Sequence, residues 1–564
     1  MYIFPSLNKD PEAVFIFIPN SQKIILASNY EYEVYNKNGF VGIGGRRCFE
    51  GEVYLNEWSG ESLKIRLHYL NVKTSRVWYR CLFNYPFIYC DDSSVQFKCY
   101  HEISNKFGEK ICNQLARQNI ILDYNIIEVK LRTLELNWNI IPDPISLLEH
   151  IHVSPEYIIS GSLTGKQVQN IELGSKINLV DYIRSHKLNY NTYDLGNLAL
   201  HKFVLPKGLY LYTQTFDFKK EWKNSNQEKV KMSDIIHGKS GSPIGYRGCR
   251  YIHVFSLDKL EQEFKGTVWR AQYPFKFKNI DYSSEEQKII LEACKNTLIA
   301  CVDGGFTDTC WRERAQWTGD ARMMAKAIKV LTHNDELTNF VFSQISKSYD
   351  SDVGMVNGAW PIVKENYKMH MPGYHLAFCL GVYENNLENL KPLVLKSIDV
   401  WKEKYLKNNL IVDIPGWMFI DWDFEDERIT ARTNNNIPNC VINSWFKELC
   451  NLAKVDCEID IEKFYKGDGY SLYPNDNEIN IHSTASVISS GLDFHKVDIS
   501  NMKWKGKVTA YYGYFIAKSL KDPKEFIKDC YLESAMKYKT IWEKHDDTSS
   551  IAHGWSVAIS ELLV

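Results

Sequence analysis

The pattern of hydrophobic and polar positions changes character near Ser284. Before it, short apolar runs are separated by turn residues, and two of them, YEYEVYN and SLKIRLHYL, alternate apolar and polar side chains. Alternation with a period of two is typical of half-buried antiparallel strands. Asn38-Gly39, between two such runs, predicts a tight hairpin. We therefore predict β-structure in two regions, 14–100 and 150–275, with a helix at 103–118.

Beyond Ser284 the apolar positions recur at helical spacing. The stretch SEEQKIILEACKNTLIACV has a capping serine, acids in its first turn and apolar residues three and four apart, which predicts a helix. Further segments of this kind continue the pattern: ARMMAKAIKVL, DELTNFVFSQISKSY, PLVLKSIDVWKEKYL, PNCVINSWFKELCNLAKV, STASVISSGL, YYGYFIAKSL and LESAMKYKTIW. Periodicity alone predicts an all-α region over 285–564 and leaves the arrangement of its helices open.

Length and composition narrow the class of protein. A chain of 564 residues is too long for one hydrophobic core and predicts about three or four domains. The net charge of −2 gives no basic surface for nucleic acid, and no apolar run approaches the ~18 residues of a membrane span. Fourteen cysteines without CxxC pairs predict reduced, buried thiols in a cytoplasmic protein, although a removed signal sequence stays open.

The densest cluster of reactive side chains is DTCWRERAQWTGDARMM, residues 308–324. Thr318 is a good N-cap type and Gly319 a poor interior residue, so we predict a loop carrying Glu313 and then a helix beginning near Thr318. Alternating acids and arginines also describe a solvated, salt-bridged surface, but a surface rarely carries two tryptophans as well. Acids beside flat aromatic faces favour sugar chemistry.

These residues resemble a known family. DTCWRERAQWTGDA is similar to DCPQRERLGWTGDA, the signature of the α-L-rhamnosidases of glycoside hydrolase family 78, and TIWEKHDD with IAHGWS resembles that family's TxWE and HxWS elements. The spacing of Asp308, Glu313 and Asp320 is kept. The departures, Thr309-Cys310-Trp311 and Ala315-Gln316, fall between the acids, and the first of them leaves the exact sugar open.

The resemblance implies a multidomain β + α protein in which N-terminal β-sandwich domains precede an (α/α)6 barrel catalytic domain. The expected division is a jelly-roll-like β-sandwich at 1–145, a second β-sandwich at 146–279 and the barrel at 280–564.

The resemblance also implies an exo-acting α-L-rhamnosidase that inverts the anomeric centre, with Glu313 as general acid and Glu543 as general base. Charged acceptors can hold sugar hydroxyls, and tryptophans can pack against sugar C–H groups. The expected substrate-binding residues are Asp308, Arg312, Trp317, Asp320, Trp360, Trp422 and His553. The expected partner is a rhamnosyl carbohydrate, with no cofactor, metal, nucleic acid or membrane. The sequence leaves the aglycone, the linkage and the oligomeric state open.

Three other functions remain open at this stage. They are an (α/α)6-barrel glycosidase for another neutral or deoxy sugar, a phosphorylase in which a phosphate pocket replaces Glu543, and a catalytically disabled sugar-binding relative. Four residues near the end of the chain are also possible metal ligands: His545, Asp546, Asp547 and His553. An inverting glycosidase needs no metal ion, so this alternative is the weaker one. The HGKSG and DWDFEDE stretches lack the glycines that a phosphate loop or a calcium loop requires.

Overall fold

The computed structural model describes ten ranges of the chain, together with the backbone of short strands in 2–129 and 235–237. The ranges are 149–163, 188–206, 209–217, 247–302, 305–310, 315–359, 369–422, 426–430, 436–545 and 549–564. The chain forms two compact units. The first comprises Met1–Pro274, Cys310–Arg314 and Pro361–Tyr367, and the second comprises Phe275–Thr309, Ala315–Trp360 and Lys368–Val564. The predicted three-domain division stays a prediction.

The first part of the first unit contains short antiparallel strands. They are β1 (Tyr2–Ile3), β2 (Tyr32–Tyr35), β3 (Val41–Gly44), β4 (Leu63–Ile65), β5 (Leu70–Lys73), β6 (Leu82–Tyr85), β7 (Phe87–Cys90), β8 (Val95–Lys98), β9 (Ile120–Asp123) and β10 (Ile126–Val129). They pair as β1-β7-β8, β4-β10-β9, β2-β3 and β5-β6. β2 pairs with β3 as the predicted hairpin requires, whereas Asn38-Gly39 and the predicted helix at 103–118 lie outside the described residues.

The rest of the first unit forms a seven-stranded antiparallel sheet. Its strands are β11 (Glu149–Val153), β12 (Glu156–Leu163), β13 (Leu188–Val204), β14 (Leu209–Thr213), β15 (Ile235–His237), β16 (Arg247–Ser256) and β17 (Thr267–Gln272). The order is β11-β17-β13-β16-β14-β15, and β12 also pairs with β13. Alternate apolar residues of these strands, among them Tyr193, Phe203 and Ile252, form a buried core. The sheet confirms that this region is β-structure, and its arrangement as a sandwich stays a prediction.

The second unit is mostly helical. Its α-helices are α1 (Glu285–Cys301), α2 (Thr318–Leu331), α3 (Asp335–Ser346), α4 (Pro372–Glu384), α5 (Lys391–Lys404), α6 (Cys440–Ala453), α7 (Ile481–Ser489), α8 (Ala510–Ser519), α9 (Lys524–Ile527) and α10 (Glu533–Tyr538). A π-helix, Lys528–Leu532, joins α9 to α10, and 3-10 helices cover Glu388–Leu390, Glu427–Ile429, Ile461–Phe464 and Gly554–Leu562. Strands β18 (Leu406–Lys407) and β19 (Leu410–Ile411) form a small hairpin. None of the helices in the described ranges has both the length and the hydropathy needed to cross a membrane.

Six segments of this unit form a closed ring. Helices α2, α4, α6, α7 and α8 and the 3-10 helix Gly554–Leu562 pack side by side in that order, and the last packs against α2. Neighbours touch near their first residues. Trp317, directly before α2, contacts Tyr374 in the first turn of α4. They also touch near their last residues, as Lys326 and Glu561 do. The ring members therefore run parallel, with their N-termini at one end.

The sequence predicted most of these helices, and two details differ. The helix at 318–331 begins where expected, but its N-cap is Trp317. Thr318 lies inside the helix, where its hydroxyl donates to the carbonyl of Asn357 at 2.7 Å instead of capping its own helix. The pattern also missed α4, because PGYHLAFCLGVYE is apolar around most of its circumference and has no polar face to reveal a helical period.

Candidate active site

Asp308 lies in the loop before α2 and is 1% exposed. Its N–H donates to the carbonyl of Ala315 at 3.0 Å, and its Oδ1 accepts the N–H of Ala315 at 2.8 Å. Its own carbonyl accepts the N–H of Gly554 at 2.6 Å. Asp308 therefore joins the two ends of the segment that contains Arg312 and Glu313, which themselves lie outside the described residues.

Asp320 and His553 bring the two signature blocks of the sequence into contact. Asp320 lies in the first turn of α2, and His553 directly precedes the 3-10 helix Gly554–Leu562. His553 Nδ1 is 3.4 Å from Asp320 Oδ1, and the two side chains are 4% and 1% exposed. The His553 ring also packs on Trp555, with the ring centroids 4.3 Å apart. A buried acid and a buried imidazole thus face each other at the N-terminal end of the ring.

Glu543 is held by a short antiparallel ladder that also carries His553. The N–H of Glu543 donates to Ser550 O at 2.8 Å, and the N–H of His553 donates to Ile541 O at 2.9 Å. The N–H of Ser550 reaches Glu543 Oε2 at 3.4 Å, and Trp555 Nε1 donates to the Glu543 carbonyl at the same distance. Glu543 is 1% exposed. Main-chain pairing therefore fixes both residues relative to each other.

An aromatic chain connects the two predicted tryptophans that the structure describes. Trp317 contacts Tyr374 edge-on at 6.1 Å between ring centroids, Tyr374 contacts Phe419 at 5.6 Å, and Phe419 contacts Trp422 at 5.0 Å. The ammonium of Lys544, the neighbour of Glu543, lies 5.6 Å from the centroid of Trp422. The aromatic chain thus runs from the first turn of α2 to the residue beside Glu543.

The predicted site residues fall into three groups. Asp308, Asp320, Glu543 and His553 form one buried cluster at the N-terminal end of the ring, which we call the acid–histidine cluster. Trp317 and Trp422 belong to the aromatic chain. Arg312, Glu313 and Trp360 lie outside the described residues, as do Asp546 and Asp547.

The sequence did not single out Asp421, which the structure places between two ring helices. Asp421 Oδ1 accepts the hydroxyl of Thr509 at 2.6 Å, and its Oδ2 accepts the Thr509 N–H at 2.9 Å and lies 3.3 Å from His482 Nε2. Thr509 is the N-cap of α8, and His482 lies in the first turn of α7. Asp421 therefore fixes the backbone that leads into Trp422. Asp421 lies in the acidic stretch DWDFEDE, which we considered only as a calcium loop, so this role was not predicted.

Tyr511 was missed as well. It lies in the first turn of α8, is fully buried, and packs on Trp555 with the ring centroids 5.3 Å apart. Burial raises the pKa of Tyr511 well above its usual value, Arg322 opposes that shift, and Asp421 and Asp320 add to it. The phenol is therefore neutral, and its ring supports the tryptophan on which His553 packs. The YYGYF stretch predicted only a helix, since aromatic residues there fit a packed core equally well.

A buried ionic network lies toward the other end of the ring. Arg322 donates to both carboxylate oxygens of Glu384, at 2.7 and 3.1 Å. Lys326 lies 3.0 Å from Glu384 and 3.2 Å from Glu561, which also accepts the hydroxyl of Tyr514. Burial acts to raise the pKa of Glu384, but the charges of Arg322 and Lys326 outweigh it and hold that pKa well below its ordinary range. The network joins α2, α4, α8 and Gly554–Leu562 and holds α2 in place against the other three segments.

The acid–histidine cluster and the aromatic chain can together bind and polarise a polyhydroxylated ligand. Carboxylates accept hydrogen bonds from hydroxyl groups, and flat rings cover C–H faces. Carboxyl groups are also the groups that glycoside hydrolysis uses. Among the described residues, no group of three or more His, Cys, Asp or Glu side chains is arranged to hold a metal ion.

Comparison with known proteins gives matches among structures only. No protein-family model and no curated protein matches the sequence. A rhamnosidase from Klebsiella oxytoca with rhamnose bound matches with a TM-score of 0.54 and 13% identity, covering 74% of this chain and 96% of that one. The α-L-rhamnosidase from Dictyoglumus thermophilum matches with a TM-score of 0.51 and 12% identity, covering 78% and 53%.

A family 78 rhamnosidase from Bacillus sp. GL1 matches with a TM-score of 0.50 and 14% identity, covering 67% of this chain and 46% of that one. The matched region thus spans about half the length of the Bacillus and Dictyoglumus chains and nearly all of the Klebsiella chain. At identities this low, the likeness concerns the fold. The chain has the fold of the glycoside hydrolase family 78 rhamnosidases.

Proposed function

We propose that this protein is an exo-acting α-L-rhamnosidase that hydrolyses terminal α-L-rhamnosyl residues with inversion of the anomeric centre. The observation that carries the proposal is the acid–histidine cluster. Two sequence blocks that resemble the family signature, one near 308–320 and one near 543–553, meet in it through the contacts of Asp308 with Gly554 and of Asp320 with His553. Contact between the two blocks is what a shared site requires.

In this proposal Glu543 is the general base. An inverting glycosidase needs a carboxylate that activates a water molecule on the face of the sugar opposite the leaving group. The ladder fixes the backbone of Glu543, and the Ser550 N–H donates to its Oε2 at 3.4 Å. Both contacts help to orient the carboxylate, as a base requires in order to accept a proton from a positioned water.

Glu313 is the proposed general acid, and it protonates the departing oxygen. The support is its place in the signature block, five residues after Asp308 and seven before Asp320. Asp308 and Asp320 then accept hydrogen bonds from sugar hydroxyls, with Arg312 and His553 as further polar contacts. Trp317, Trp360 and Trp422 supply flat apolar faces for the sugar ring and its methyl group.

We also propose that the closed ring is the inner layer of an (α/α)6 barrel. Six parallel segments in sequential order support this arrangement, as does the placement of helices such as α3 and α5 between consecutive ring members in the sequence. The N-terminal β-structure would then be the accessory sandwiches that precede the barrel.

Hydrolysis of p-nitrophenyl α-L-rhamnoside tests the proposal. The purified chain should release p-nitrophenol from this substrate faster than from the corresponding α-L-fucoside, β-D-glucoside and α-D-mannoside. Preference for another sugar would indicate a related glycosidase instead. Binding of rhamnose without turnover of any glycoside in the panel would indicate a sugar-binding relative.

A further inference from the structure

Two cysteines meet where α6 ends. The helix ends at Ala453, because Lys454 adopts a left-handed conformation with φ 56°. The N–H of Val455 then donates to the carbonyl of Cys450 at 2.9 Å, which closes the helix end and reverses the chain. The residues that follow run back along the last turn of α6.

The reversed segment is held against α6 by two lysines. Lys447, on α6, donates to the carbonyl of Cys457 at 2.7 Å, and Lys402, on α5, donates to the carbonyl of Asp456 at 2.7 Å. Cys457 therefore lies against the last turn of α6, which carries Cys450, and the two thiols shift each other's pKa in opposite directions. Cys450 is fully buried and Cys457 is 4% exposed, one layer beneath an exposed surface segment.

We propose that Cys450 and Cys457 are a peroxide-responsive thiol pair that forms a reversible disulfide. The Cys457 thiolate attacks one oxygen of hydrogen peroxide, which breaks the O–O bond, gives a sulfenic acid and releases water once the leaving hydroxide is protonated. The Cys450 sulfur then attacks the sulfenic sulfur, and the hydroxyl leaves as a second water. Two thiols lose two electrons and two protons, and one peroxide becomes two waters.

The local charges support this order of events. The neighbouring Cys450 thiol lowers the pKa of Cys457, burial opposes that shift, and the ammonium groups of Lys402 and Lys447 lower it further. The thiolate is the nucleophile in such chemistry, so Cys457 is the attacking residue and Cys450 the resolving one. Elsewhere in the described part of the unit, burial raises the pKa of Cys440 to about 12 and also raises that of Cys294, so these thiols stay protonated.

The thiol pair lies far from the acid–histidine cluster. Cys450 is in the last turn of α6, whereas the cluster gathers at the N-terminal end of the ring. A helix of 14 residues is about 21 Å long at ~1.5 Å per residue. The inference therefore does not depend on the proposed function, and oxidation of the pair should leave glycoside hydrolysis within about twofold of the reduced protein.

The test determines the oxidation state of each cysteine in the whole chain. The chain is treated with hydrogen peroxide, alkylated with iodoacetamide, reduced with dithiothreitol, and alkylated again with an isotopically heavy reagent before mass spectrometry. Cys450 and Cys457 should carry the heavy label, and the non-reduced digest should contain a peptide that joins them. Carriage of the light label by both, or irreversible sulfinic acid at Cys457 without a cross-link, would overturn the proposal.

Two variants sharpen the assignment. Cys457→Ser should abolish the cross-linked peptide and leave Cys450 with the light label, whereas Cys440→Ser, on the same helix, should leave the cross-link intact. A cross-link that persists at Cys450 in Cys457→Ser would assign another partner and contradict the pair. The peroxide experiment on the unsubstituted chain decides the proposal by itself, so the result does not depend on whether a variant folds.

Discussion

At the scale of single residues, replacing Glu543 and replacing Glu313 should differ in effect. The loss of activity should depend on the leaving group of the substrate for Glu313 and not for Glu543. Glu543→Gln removes the proposed base and should lower kcat by roughly 10²–10⁴-fold on every substrate. Glu313→Gln removes the proposed acid, so it should spare p-nitrophenyl rhamnoside, whose leaving group needs little protonation, and should impair an alkyl rhamnoside severely. Steady-state kinetics of both variants on both substrates measures the contrast. If Glu313→Gln lowered activity equally on the two substrates, Glu313 would not be the general acid.

The acids that surround the reacting groups should act mainly on the transition state. Hydrogen bonds to charged groups contribute about 1.5–3 kcal/mol, so Asp320→Asn should lower kcat/KM by roughly 10–150-fold. Trp317→Ala should instead remove an apolar wall and raise KM as well. The exposed Asp413→Asn is a matched control and should leave both parameters unchanged. Wild-type kinetics in Asp320→Asn and Trp317→Ala together would place the pocket elsewhere.

Some of these residues could be predicted from sequence and others could not. Asp308, Asp320, Glu543 and His553 belong to two recognisable blocks, so their grouping was predictable. Tyr374 contacts Trp317, and Asp421 binds Thr509, which are distant from them in the chain. The sequence around Tyr374 resembles an ordinary helix, and the sequence around Asp421 resembles an ordinary acidic loop. Contacts of that kind depend on the folded ring and leave no local pattern.

At the scale of helices, Glu384 should matter more for stability than the other acid of the ionic network. Glu384→Gln leaves the guanidinium of Arg322, which is 1% exposed, without its carboxylate partner. Breaking a buried pair in this way costs about 3–5 kcal/mol of unfolding free energy. Glu561→Gln, at a position that is 30% exposed, should cost less. Urea unfolding of the two variants compares them, and an equal or reversed order would contradict this account of the network.

The histidine of α4 should make the protein sensitive to acid. Burial, and then the neighbouring His370, lowers the pKa of His375 from 6.5 to about 3, and His375 Nδ1 accepts the N–H of Val356 at 3.2 Å. Between these two pH values the unfolded chain binds a proton that the folded chain does not. The stability that His375 contributes is therefore present above pH 6.5 and is lost as the pH falls toward 3.

Thermal unfolding from pH 7 to pH 4 measures this effect. His375→Gln keeps an acceptor for Val356 without a group that titrates, so its Tm should fall less steeply with acid than that of the unsubstituted chain. His495→Gln, at a partly exposed histidine, should keep the original slope. Identical slopes for His375→Gln and the unsubstituted chain would show that other groups govern acid unfolding.

The helices themselves show why prediction by pattern succeeds unevenly. Helix α1 was predictable because Ser284 caps it by accepting the N–H of Gln287, and acids follow in its first turn. Helix α4 was not, since a ring member buried on nearly every side has no polar face. The predicted helix LESAMKYKTIW ends early, at Tyr538, because Lys539 turns left-handed at φ 60° and the chain enters the ladder that holds Glu543.

At the scale of the whole molecule, the stereochemistry of the product tests the proposed pairing of Glu313 with Glu543. An inverting enzyme leaves room for water between carboxyl groups that stand ~6.5–9.5 Å apart, whereas a retaining enzyme holds them at ~5–5.5 Å. Proton NMR of fresh product should therefore show β-L-rhamnose first, with the α-anomer growing in by mutarotation. Initial release of the α-anomer would exclude Glu543 as a base for water, and His545, Asp546 and Asp547 would be tested next.

The closure of the ring also has a consequence for how the protein folds. Gly554–Leu562 packs between α8 and α2, so the contact that completes the ring joins residues very far apart in the sequence. Closing such a long loop costs chain entropy before any contact repays it, so we expect this contact to form late in assembly. Until it is made, α2 leaves an apolar flank exposed to water on the nascent chain. That flank is where a molecular chaperone would hold the unfinished protein and where aggregation would begin.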